Sequence, residues 1–154
     1  YHQRHAARLE ARDHIPRGAN MVSFRGRRTG VPWYTNREEH IAAIAIARKH
    51  AFSNDQWVLE GAQLVSIKRK DARGWDRDPS QMTKANKSKY EVWRTTEDAV
   101  RDFPRDVFDY LWLISPMPMD KSAFAGMDLV WAKGDVSVYR IRHDAPKAAE
   151  PAKR

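Results

Sequence analysis

Two carboxylates stand two residues apart in Asp76-Arg77-Asp78-Pro79-Ser80-Gln81. Such a pair can ligate a divalent cation or act as general acid and base. The commoner role of Asp-Pro-Ser is a turn in which the aspartate bonds the following backbone amides. A second polar cluster is Ala51-Phe52-Ser53-Asn54-Asp55-Gln56-Trp57, where four hydrogen-bonding side chains lie between two aromatics. An independent hydrolase or transferase would use Asp55, Asp76 and Asp78 as acid, base or metal ligands. A third set is cationic. Arg25, Arg27 and Arg28 fall in one segment, and Lys68, Arg69 and Lys70 in another. With Asp78, Ser80 and Gln81 they form a candidate anion site, because guanidinium groups fork onto phosphate and carboxylate.

Other chemistries have thinner support. His2 and His5 share a helix face, but a zinc site needs three or four ligands and no other is near in sequence. His40 and His50 bracket an apolar helix, and a structural role is expected for each; a histidine at a helix C-terminus gains from the dipole. The chain has no cysteine, which excludes disulfides, thiolate metal sites and a cysteine nucleophile. It has no nucleophile elbow, P-loop or metalloprotease motif. Arg25-Gly26-Arg27-Arg28-Thr29-Gly30 lacks the glycine spacing of a dinucleotide fingerprint. No cofactor and no metal are expected.

The elements that must position these residues can be read from pattern. Residues 1–14 form a mostly polar helix ended by Ile15-Pro16. Residues 20–24 form a short strand, and 25–34 a basic loop. A helix begins at an N-cap on Thr35 or Asn36 and carries Ile41, Ile44 and Ala45 at helical spacing, with Arg48 and Lys49 near its end. Ala51 to Trp57 then makes a corner leading into a strand at 59–68. Residues 71–90 read as a long loop. Thr95-Thr96-Glu97-Asp98 starts a short helix stopped by Pro104. Phe108 to Ile114 is a nearly continuous apolar run, as in a strand buried on both faces. Strands at 128–132 and 136–141 flank the hairpin turn Lys133-Gly134-Asp135. Residues 143–154 form a tail rich in Ala, Pro and Lys.

Strands alternating with helices imply a mostly parallel sheet. The expected fold is a small three-layer, Rossmann-like α/β domain over residues 1–142, closed by an antiparallel hairpin. Ligands gather beyond the carboxyl ends of strands in such sheets. The basic loops after the first two strands would then converge on one edge. The corner at Asn54 and Asp55 would sit on the other edge, as a structural turn, with one of these two residues accepting the left-handed or turn geometry that ends a helix without glycine.

The 154 residues suit one domain, and they carry a formal charge of +8. Tyr1 to Gly30 holds seven arginines against two acids, and Val65 to Thr95 holds nine basic residues against four acids. This balance favours anionic partners such as phosphate groups, anionic lipid or nucleic acid. Trp112 and Trp131 fall inside strand patterns, so the tryptophans argue for core rather than base stacking, and nucleic acid is the least favoured partner.

The pieces IPRGANMVSF, NREEHIAAIAIARKHAFSNDQW, LEGAQLVSI, DPSQM, FPRDVFDYLWLI and LVWAKGDVSVYRI span most of Ile15 to Ile141. Their layout resembles the soluble C-terminal domain of an uncharacterised, glycosyltransferase-like bacterial polytopic membrane protein. The resemblance implies an extracytoplasmic, periplasmic domain that follows the last membrane helix. Its role would be accessory: recognition of a glycan or lipid phosphate, or packing over the membrane core of the same polypeptide. The chain opens on tyrosine, and a preceding segment with a signal or membrane spans is expected. The rival readings are the independent hydrolase or transferase and the nucleic-acid-binding module.

Overall fold

A computed structural model of the chain describes residues 6, 8–26, 40–56, 67, 69–78, 83–84 and 94–143. It shows a mixed α/β domain. Strand β1 (Asn20–Arg25) lies between β2 (Phe52–Ser53) and β5 (Tyr110–Ile114), parallel to both. β7 (Val136–Ile141) pairs antiparallel with β5, and β6 (Met127–Lys133) pairs antiparallel with β7. The sheet order is β2-β1-β5-β7-β6. The C-terminal hairpin therefore adds the expected antiparallel strands at one edge. Its turn passes through Gly134, whose φ of 61° suits glycine. Two further short strands, β3 (Thr83–Lys84) and β4 (Arg94–Thr95), form a separate parallel pair.

Strands buried on both faces carry apolar residues without alternation, and β1 and β5 show this. Val22, Phe24, Leu111 and Leu113 face one core cluster, shared with Ala99, Val100, Phe103, Phe108 and Trp75. Met21, Trp112 and Ile114 face a second, with Val136, Val138, Ile15, Ala42 and Ala45. The odd and even residues of each strand thus point to opposite sides, as a pleated strand demands.

The helix α1 (Ile44–Lys49) follows a 3₁₀ turn, Ile41–Ala43, and returns the chain from β1 to β2. His50 ends it at a φ of 50°, so the left-handed cap is His50 and neither Asn54 nor Asp55. The helix α2 (Thr96–Asp102) begins at Thr95, whose side chain accepts from the Asp98 amide while Asp98 accepts from the Thr95 amide. This is the reciprocal N-cap that the sequence announces.

Two expectations change. The strand at 59–68 lies outside the described residues, apart from Ile67. The second parallel strand among the described residues is Phe52–Ser53, inside the segment read as a corner. Asn54 and Asp55 therefore follow the carboxyl end of β2. The first helix is also less solvated than its composition suggests. Arg8 is 1% exposed and donates to Ser115 Oγ at 2.9 Å and to Asp135 at 3.1 Å.

Candidate functional site

The short β2 ends at Ser53, yet β1 continues for four more residues beyond Met21, its last paired partner there. The polar backbone of Ser23 then needs other partners. Asn54 supplies them. Its Oδ1 accepts from the Ser23 amide at 2.7 Å and from Ser23 Oγ at 3.1 Å, and its Nδ2 donates to Ser23 O at 3.0 Å. A side-chain amide thus imitates one more residue of β-ladder. Two further bonds tighten the turn: the Asp55 amide donates to Ser53 Oγ at 3.1 Å, and Gln56 Nε2 donates to Ser53 O at 2.7 Å.

This grip aims Asp55 across the start of the helical segment. Asp55 Oδ2 accepts from the Ala43 amide at 2.8 Å, and Oδ1 lies 2.9 Å from His40 Nδ1. The same nitrogen lies 3.1 Å from Asp78 Oδ2. Asp55 and Asp78 are each 2% exposed, whereas the His40 side chain is 40% exposed. One donor atom from each of the three residues fits within a 4.8 Å span. Burial pushes the Asp55 carboxyl above its ordinary range. The bond and charge of His40 and the Ala43 amide oppose that rise, and the nearby Asp78 adds to it.

The centre joins residues from three separate stretches. His40 opens the 3₁₀ turn before α1, Asp55 leaves β2, and Asp78 follows Trp75, which is buried against Phe24 and Phe103. The arrangement offers two buried carboxylates to one imidazole whose other nitrogen, Nε2, lies across the ring. It can move a proton, or its three donors can hold a cation.

The expected cationic rim does not assemble from its described members. Arg69 donates to Asp71 at 2.9 and 2.8 Å, and to Asn20 Oδ1 at 2.6 Å, and its guanidinium lies 4.5 Å above the Phe52 ring. Asn20 and Phe52 open β1 and β2, so Arg69 sits at the amino edge. Arg25 ends β1, five residues and about 17 Å further along. The reason is topological: the chain at Arg69 is at the amino edge and reaches the other side only by Asp78. Arg27, Arg28, Lys68, Ser80 and Gln81 lie outside the described residues. Asp78 is in the centre, but as a partner of His40. Asp76 is half-buried and is not one of its three donors.

Sequence reasoning therefore named Asp55 and Asp78 and missed what joins them. His40 passed as a structural residue because nothing in a spacing of fifteen residues to Asp55 and thirty-eight to Asp78 marks a constellation. The useful signal was Phe-Ser before Asn-Asp, a strand end too short for alternation to reveal. In comparisons with protein-family models, curated proteins and solved structures, nothing matches this chain.

Proposed function

We propose that the domain is the working part of a hydrolase or transferase, with His40, Asp55 and Asp78 as its polar centre. The observation that carries this reading is the burial of two aspartates against one half-exposed imidazole. Taking a carboxylate out of water costs several kcal/mol unless it is fully paired. Here two buried carboxyl groups converge on one imidazole nitrogen. A purely structural bond would be served as well by neutral amides. Buried groups pushed off their ordinary pKa beside a solvent-facing partner are a common mark of working sites. Asp55 at Nδ1 would hold the ring so that Nε2 takes a proton from, or gives one to, a substrate at the open side.

The test is a stability comparison paired with an activity screen. Asp55→Asn and Asp78→Asn keep a hydrogen-bonding side chain and remove charge. Both variants should unfold at the same or higher urea concentration, with a gain of up to about 2 kcal/mol. Turnover of phosphoester, carboxylester or glycoside probes should vanish in both and in His40→Gln. A loss of more than about 2 kcal/mol in both aspartate variants would identify the cluster as a structural tie.

The accessory reading, a membrane-anchored extracytoplasmic domain binding glycan or lipid phosphate, draws support from the +8 charge alone. It ranks second because Arg25 and Arg69 lie at opposite ends of β1. Among the described residues no helix is long and apolar enough to cross a membrane. We infer a three-layer, Rossmann-like arrangement, which the buried clusters on both faces of the sheet support.

A further inference from the structure

We propose that His40, Asp55 and Asp78 bind a divalent transition-metal ion of the zinc or manganese class. The inference rests on the reading of these residues as the working centre, with Nδ1 giving its lone pair to the ion in place of a hydrogen to Asp55. Four observations point the same way.

The first is donor chemistry. One imidazole nitrogen with two carboxylate oxygens suits zinc or manganese, whereas magnesium and calcium prefer all-oxygen shells. The second is spacing. An ion about 2.1 Å from each ligand sets neighbouring donors about 3.0 Å apart in octahedral and about 3.4 Å in tetrahedral geometry. His40 Nδ1 lies 2.9 Å from Asp55 Oδ1 and 3.1 Å from Asp78 Oδ2. The full set lies within 4.8 Å, and a six-coordinate ion spans roughly 4.2 Å, so binding draws the two carboxylates together by up to about half an ångström.

The third is hydrogen count. Nδ1 carries at most one hydrogen, and two carboxylate oxygens converge on it. One N–H cannot point straight at both, while a cation accepts a lone pair from each of the three atoms. The fourth is support and access. Asp55 is already fixed through its second oxygen by the Ala43 amide, and its backbone by the Asn54 grip on Ser23. Bonds of this kind orient metal ligands. Three protein ligands beside an exposed imidazole edge leave coordination positions for water and substrate.

The experiment is calorimetric titration of the full chain, stripped with a chelator, with zinc, manganese and magnesium chlorides. One zinc or manganese ion should bind per chain, with magnesium at least about tenfold weaker. Asp55→Asn, Asp78→Asn and His40→Gln should each weaken binding by about tenfold or more. Circular dichroism checks that each variant folds. A His2→Gln/His5→Gln double variant should bind as the parent does. The metal site is overturned if the parent takes up neither ion. It is overturned equally if the double variant loses binding while the folded aspartate variants keep it. If no ion binds but the two Asp→Asn variants keep their stability and lose turnover, the acid–base reading survives without the metal.

Discussion

Asn54 shows how one residue converts a turn into a site. Its amide holds both the N–H and the C=O of Ser23, so the chain stays in register with β1 just as its own strand ends. Without it, two buried backbone groups lose their partner and Asp55 loses its aim. Asn54→Ala should therefore destabilise the domain by about 2–4 kcal/mol in urea unfolding, since each orphaned buried group costs about 1–3 kcal/mol. A cost below 1 kcal/mol would mean that Ser23 finds other partners. Sequence shows the polarity of Ser-Asn-Asp-Gln plainly. It does not show that the partner is Ser23, thirty-one residues earlier, because side-chain to backbone bonds at that range leave no periodic trace. Asp55 and Asp78 were legible as carboxylates and His40 as a helix-start residue; only folding makes them neighbours.

At the scale of elements, legibility follows length and local chemistry. The hairpin and α2 are written in adjacent residues: a glycine turn between alternating runs, and Thr95 with Asp98 three positions later. β2 has two residues, below the four or so that alternation needs, so its pattern does not separate a strand from a corner. With β2 in place, Asp55 lies beyond the carboxyl end of a strand and not at the opposite edge. Local chemistry also gives a pH test at the 3₁₀ turn Lys121–Phe124, which Asp120 caps. Hydrogen bonds from the Ser122 side chain and amide hold the Asp120 carboxyl below its ordinary 3.8. A depressed acid stabilises the fold fully above the unfolded value and loses that contribution as pH falls through the folded one. The melting-temperature advantage of the parent over Asp120→Asn should hold steady above about pH 4 and shrink below it. A constant gap down to about pH 2.5 would show that the charge of Asp120 does not matter to the cap.

The whole molecule is organised around β1 and β5, whose side chains feed both buried clusters. Their carboxyl ends are drawn together where Gly26 donates to Ile114 O at 3.0 Å. A Cβ on Gly26 would collide with Ser115 O and lie 2.7 Å from Pro116 Cα and 2.9 Å from Met117 N, all rigid backbone. Gly26→Ala should cost about 1–3 kcal/mol in thermal or urea unfolding, as overpacked positions do. An unchanged midpoint would mean that the Ser115–Met117 segment yields freely. The same long-range pairing has a consequence for synthesis. Met21 pairs with Tyr110, eighty-nine residues later in the chain. At about 5–20 residues per second, β1 leaves the ribosome roughly 4–18 seconds before β5 exists. During that interval Met-Val-Ser-Phe lacks its β5 neighbour and presents an open apolar edge, a template for self-association. Arg25, Arg27 and Arg28 follow it at once in the chain, and flanking cations are the usual guard on a strand that must wait. The basic segment that suggested an anionic ligand thus has a second use, in keeping the nascent chain apart from its copies.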